Sequence, residues 1–117
     1  MGVSVLIVDD HAGFRSHARR LLECEGYRVV GEAADSASAL AAVLDLAPDL
    51  VLVDVHLPDV DGFELTSRLE ALAAPPAVVL TSSRDAVELE RCVAECGACG
   101  FVPKAELSRR AIEELQR

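Results

Sequence analysis

The sequence is short of positive charge. Eleven lysines and arginines stand against twenty aspartates and glutamates, for a net charge of −9. Such a domain is not drawn by itself to nucleic acid or to an anionic membrane. Cations and basic partner surfaces suit it better. It lacks any apolar run near the ~20 residues that cross a bilayer. The opening stretch Val3 to Val8 is too brief for a secretory signal and runs into two aspartates, so a cytoplasmic location is expected. Without such a signal, the four cysteines read as reduced thiols. His11, His17 and His56 are scattered and make no ligand set by spacing. Repeats, low-complexity tracts and linkers are also missing, so residues 1–117 are expected to form one domain.

What is present is an alternation. Five short apolar runs read as buried strands: Val3–Val8, Arg28–Ala33, Leu50–Val53, Ala77–Leu80 and Gly100–Pro103. Helical patterns follow each one. The first carries Phe14, Ala18, Leu21 and Leu22 inward and stops at Gly26. The second is expected to be capped by Ser36, with Ala37, Leu40, Ala41 and Leu44 as its apolar face. Asp61, with Glu64 three residues on, should cap a third helix whose inner face is Leu65, Leu69 and Leu72. A fourth would turn Leu89, Val93 and Cys96 inward, and a fifth Leu107, Ala111 and Leu115. Strands joined by helical crossovers make a parallel sheet covered on both faces. The expectation is a doubly wound α/β fold of flavodoxin-like strand order 2-1-3-4-5, with five helices and a crevice between strands 1 and 3.

In that order the C-terminal strand tips lie along one edge, and four of them are polar. Asp9 and Asp10 end strand 1, Asp54 ends strand 3, Thr81 ends strand 4 and Lys104 ends strand 5. Each alone is an ordinary strand-end or helix-capping residue; together they form a site. Clustered carboxylates repel one another and call for a cation. Oxygen ligands without imidazole or thiolate suit a hard ion such as Mg²⁺. A metal, an ammonium and a hydroxyl around one carboxylate is the equipment of phosphoryl transfer, with aspartate as the nucleophile.

These residues, with Pro58 and Gly62 after Asp54, Ser82 after Thr81, and Gly97-Ala98-Cys99-Gly100-Phe101 leading to Lys104, resemble the receiver domain of two-component response regulators. The resemblance covers the whole chain. It implies a phosphorylation-dependent signalling switch rather than an enzyme with an external substrate. By that likeness Asp54 is the phosphoacceptor and a sensor histidine kinase the donor. Mg²⁺ would be held by Asp10 and Asp54, by Asp9 through water, and by the backbone carbonyl of His56. Lys104 and Thr81 would hold phosphoryl oxygens, and Phe101 would be the aromatic switch residue that follows Thr81. The surface of the fourth helix, fifth strand and fifth helix would then control an effector or drive self-association. The segments Gly31 to Asp35 and Lys104 to Leu107 are similar to the subclass with a C-terminal helix-turn-helix effector. DNA would be reached only through that separate domain, and no membrane is implied. The chain departs from the family's commonest pattern at Ala105, where proline is usual, and at Leu57 and Phe101. By the same likeness, His56 and Ser83 would occupy positions that vary across the family and tune phosphorylation and dephosphorylation rates.

Other signals are weaker. Cys92, Cys96 and Cys99 have the spacing of a cluster-binding motif, but they straddle a helix end, so they and Cys24 are read as packing residues. Asp59-Val60-Asp61-Gly62 has the form of a phosphohydrolase nucleophile motif, yet Pro58 separates it from the strand. Flavin binding would want a hydroxyl-rich loop where Asp9-Asp10-His11 stands. A true phosphohydrolase would need a cap, and a constitutive interaction module would tend to lose an acidic or lysine position.

Overall fold

The computed structural model describes residues 2–83 and 96–116. Five strands form one parallel sheet: β1 (Ser4–Val8), β2 (Arg28–Ala33), β3 (Leu50–Asp54), β4 (Ala77–Ser82) and β5 (Gly100–Pro103). Their order is β2-β1-β3-β4-β5, as the sequence predicts. The helices are α1 (Ala12–Cys24), α2 (Ser36–Leu46), α3 (Gly62–Glu70) and α4 (Arg109–Leu115), with a 3₁₀ turn at Lys104–Glu106. So four of the five expected α-helices fall among the described residues. Leu89, Val93 and Cys92 lie outside them, and Cys96, the last inward residue expected of that fourth helix, is buried.

Side-chain alternation along the strands divides the core in two. Val5, Ile7, Leu50, Leu52 and Val79 face α1 and α4, where they meet Ala18, Leu22 and Ile112. Leu6, Val8, Val51, Val53 and Leu80 face the other way, toward Ala39 and Val43 of α2 and Leu65 and Leu69 of α3. Every residue of β1 and β3 is buried. Burial on both faces explains why these runs are unbroken apolar stretches.

Several local expectations need correction. The cap of α2 is Asp35, whose Oδ1 accepts the Ser38 amide at 2.8 Å; Ser36 is the first helical residue. The buried side of α2 is Ser36, Ala39 and Val43, while Leu44 is 71% exposed. Eight of the eleven α2 residues are apolar, so periodicity could not choose a face. Helix α4 buries Ile112, and Leu107 is buried just ahead of the helix. Cys24 and Cys99 are exposed rather than packed. The Asp61 cap of α3 holds, at 2.8 Å to the Glu64 amide.

Asp59 has a structural task the sequence did not reveal. Its carboxylate accepts the Ser36 amide at 3.0 Å, the Ser36 hydroxyl and the Ala37 amide at 3.2 Å. It thereby clamps the loop after β3 onto the N-terminus of α2, where exposed N–H groups and the helix dipole favour an anion. The Ser36 bonds hold the Asp59 carboxyl far below the usual carboxylate range. A depressed carboxylate contributes stability that is present above its unfolded value and lost as pH falls through the folded one. Asp59→Ala is therefore expected to lower the melting temperature at pH 7. The gap to the parent should stay constant down to about pH 4 and narrow below it. Calorimetry across that range checks this, and a gap unchanged at pH 2.5 would exclude the clamp.

Candidate functional site

Asp9 directly follows β1 and is completely buried. Its amide donates to Ala33 O at 3.0 Å, which prolongs the strand pairing by one residue. Its Oδ1 accepts the His11 amide at 2.8 Å, turning the chain into α1. The Asp9 carbonyl accepts Arg15 Nη1 at 2.7 Å. Arg15 is held in turn by Glu32 at 3.1 Å, and Glu32 also takes Arg19 at 2.8 Å. The turn at the tip of β1 is thus fixed from both sides.

Asp54 is the last residue of β3 and is 2% exposed. In register it stands opposite Thr81 of β4. Its Oδ1 accepts the His56 amide at 3.2 Å. Gly62 presses against its backbone: a Cβ there would lie 2.4 Å from Asp54 O and 2.9 Å from Val55 Cα. No side chain fits, so this glycine lets α3 start directly beneath the site.

Lys104 follows β5 and closes the group. Its Nζ lies 2.6 Å from Asp9 Oδ2 and 3.5 Å from Asp54 Oδ2. The contact with Asp9 is an ion pair without hydrogen-bond alignment, since Asp9 Oδ2 has no directional partner. The ammonium also sits 4.5 Å over the ring of Phe14. Thr81 is buried, and its hydroxyl donates to Val53 O over a long 3.5 Å. Asp10 is partly exposed at the mouth. His11, 69% exposed, places Nδ1 3.0 Å from Asp10 Oδ1 and 3.2 Å from Asp9 Oδ1. One ligand atom each from Asp9, Asp10, His11 and Asp54 lies within 4.8 Å of all the others.

The structure therefore gathers Asp9, Asp10, Asp54, Lys104 and Thr81, the residues singled out by the sequence, at one end of the sheet. His56 is exposed and contributes its amide to Asp54. Phe101 stands opposite Leu80, half-buried against the α2–α3 side of the core. It also lines a groove of about 230 Å³ with Pro103, Ala111 and Leu115. Sequence reasoning missed His11, Phe14 and Arg15. The acid pair was the available signal for His11, because an aspartate that accepts the amide two residues on brings that residue back over itself. A larger cavity of about 500 Å³ lies between the end of α2 and the α3–β4 loop, far from this chemistry.

A family model described as the response regulator receiver domain matches residues 5–116. The chain is a response regulator receiver domain. Among its relatives, BvgA of Bordetella pertussis is 40% identical over 103 residues, covering 87% of this chain and 49% of BvgA. The transcriptional regulatory protein PdtaR of Mycobacterium tuberculosis is 39% identical over 102 residues, covering 86% of this chain and 48% of PdtaR. The receiver domain spans about half the length of these curated relatives. A two-component response regulator of the LuxR family from Aurantimonas sp. SI85-9A1 superposes with a TM-score of 0.88 at 30% identity, covering 99% of this chain and 86% of that one. Receiver domains are signalling domains, and this one carries the acidic cluster at its sheet edge. Among the described residues no helix is long and apolar enough to cross a membrane.

Burial pushes the Asp54 carboxyl above its ordinary value; the His56 amide opposes this, Asp9 adds to it and Lys104 works against it. A raised carboxylate favours folding most below its unfolded value, near pH 3.9, and loses that advantage as pH rises through the folded value. At neutral pH the buried charge is a net burden. Asp54→Asn is expected to raise the melting temperature at pH 7 in Mg²⁺-free buffer, with the gain shrinking toward pH 4. A variant less stable than the parent at pH 7 would contradict this electrostatic account.

Proposed function

We propose that this receiver domain is a phosphorylation switch with Asp54 as acceptor, charged by a sensor histidine kinase and controlling a transcriptional effector. The observation that carries the reading is a buried carboxylate at the tip of β3 with an ammonium 3.5 Å away and two further carboxylates beside it. Three carboxylates against one ammonium leave two negative charges unbalanced, which fits a divalent cation. Oxygen atoms within 4.8 Å of one another fit the ~2.1 Å bonds of an octahedral Mg²⁺. Asp10, Asp54 and the His56 carbonyl would bind it directly and Asp9 through water. Bound there, the ion neutralises charge on the transferring group.

The chain's own residues do the rest. An Asp54 oxygen attacks phosphorus in line, a new P–O bond forms, and the bond to the donor's imidazole breaks with its electron pair. Lys104, already between Asp9 and Asp54, turns its ammonium to a phosphoryl oxygen. Thr81 gives up little to move, since its bond to Val53 is long and weak. Drawn to the phosphoryl group, Thr81 would leave space that the half-buried Phe101 ring fills, a burial worth on the order of 2 kcal/mol. The surface around β5 and α4 then changes, to be read by a second copy or an attached effector. The names of the relatives, transcription regulators about twice as long as this chain, support an effector of that kind.

Two measurements test this. Incubation with acetyl phosphate and Mg²⁺ should add one phosphoryl group to the intact mass of the parent and none to Asp54→Asn. Equal labelling of both would refute the acceptor. Beryllofluoride with Mg²⁺ should shift backbone amides across residues 82–110 and promote self-association. Thr81→Ala should still take up phosphate yet lose most of both responses; if it keeps them, the coupling through Thr81 and Phe101 is wrong.

A further inference from the structure

We propose that Phe14 is a positioning residue for phosphoryl uptake, its ring face holding the Lys104 ammonium in place once a cation has claimed the carboxylates. The proposal rests on the acceptor role of Asp54 given above and adds a residue to it. Lys104 Nζ lies 4.5 Å from the centre of the Phe14 ring. It is also 2.6 Å from Asp9 Oδ2 and 3.5 Å from Asp54 Oδ2. The ammonium thus has two kinds of partner: carboxylates that carry charge and a ring that carries none. The ring is well anchored. Phe14 sits in the first turn of α1, packs against the core on that side of the sheet, and meets the His17 ring at 6.4 Å. The Lys104 side chain is only 15% exposed, and a cation over a ring is held more firmly when little water reaches it.

The two kinds of partner respond differently to a divalent cation. Positive charge among the carboxylates offsets the attraction that draws Lys104 inward, and it repels the ammonium besides. The lysine stem is flexible, so its head is then free to swing toward water. Attraction to Phe14 is untouched, because it arises in the ring's own quadrupole. A ring attracts a cation out to about 6 Å from its centroid, so Nζ has roughly 1.5 Å of travel while still over Phe14. Turning from Asp9 to a phosphoryl oxygen on Asp54 is a short step of that kind. Affinity for the phosphoryl group scales with the fraction of molecules whose lysine is already in place. Phe14 raises that fraction. The same ring opposes the cation, since it keeps a like charge beside it.

The test titrates the whole chain with MgCl₂ alone by calorimetry, then with beryllofluoride in saturating MgCl₂, and records ¹H–¹³C spectra of the lysine side chains. Phe14→Leu keeps an apolar side chain and removes the ring face, whereas Phe14→Tyr keeps the face. Trifluorophenylalanine at position 14 keeps the shape and drains the face of negative charge. The leucine and trifluoro variants should bind beryllofluoride about threefold or more weakly than the parent, and Mg²⁺ no more weakly. Phe14→Tyr should stay within about twofold of the parent for both. The Lys104 Hε resonances of the parent should lie upfield under the ring current, remain there with beryllofluoride and Mg²⁺, and move downfield in Phe14→Leu. A role in packing alone would weaken both ligands together in Phe14→Leu and leave the trifluoro variant like the parent. Either result overturns the proposal, as would unshifted Lys104 resonances in the parent. A parent that binds Mg²⁺ but no beryllofluoride would instead refute Asp54 as acceptor, and the role of Phe14 with it.

Discussion

The Lys104 ammonium is what allows two carboxylates to be buried at one end of this sheet. Asp9 and Asp54 are essentially inaccessible to water, and an unpaired charge in that position is strongly penalised. Lys104 comes from the far side of the sheet. With β3 and β4 between them, β5 and β1 are separated by on the order of 14 Å at ordinary strand spacing. The lysine and the two aspartate side chains must lean together over the tip of β4. Thr81 and Ser82 occupy that tip, and their small size leaves the passage open. The ion pair is therefore also a strap that ties the short edge strand β5 to the centre of the fold.

A strap of this kind is unequal. Nζ is 2.6 Å from Asp9 and 3.5 Å from Asp54, so the ammonium is committed first to Asp9. Asp54 is left with a weaker cationic partner and one backbone amide. Burial then dominates and pushes its carboxyl upward. An under-compensated carboxylate is a better nucleophile than one fully paired with lysine. On the proposed acceptor role, stability would be given up at the position where reactivity is wanted.

Most of this arrangement was legible in the sequence, for a physical reason. Strands buried on both faces must be continuous apolar runs, so the first polar residue after each run marks the sheet edge. Asp9, Asp54, Thr81 and Lys104 are found that way, and right-handed crossovers imply a doubly wound sheet, of which the flavodoxin-like order is one common form. Two kinds of feature stayed hidden. Helix α2 is apolar on nearly every side, so its sequence could not say that Val43 turns inward and Leu44 outward. Contacts made by side chains folding back across turns were also invisible. Asp59 reaching Ser36, Arg15 reaching the Asp9 carbonyl, and His11 returning over the acid pair depend on loop geometry rather than on periodicity.

Those back-folded contacts brace the β1 and β3 side of the site. The β1 tip is braced by Arg15 and Glu32, and the loop after β3 by Asp59 on the N-terminus of α2. Gly62 seats α3 against the Asp54 backbone with no room to spare. The half of the site on β1 and β3 is thus held by hydrogen bonds and close packing. On the β4 and β5 side, the Thr81 hydroxyl makes one long bond to Val53 O, and Lys104 reaches across to Asp9 and Asp54. A new charge on Asp54 would act on groups that differ in how firmly they are fixed. On the proposed acceptor role, the long Thr81 bond would yield more easily than the short contacts around β1, which would draw the response toward β4 and Phe101. Direction in such a switch needs no special pathway; it follows from which contacts are strong and which are not.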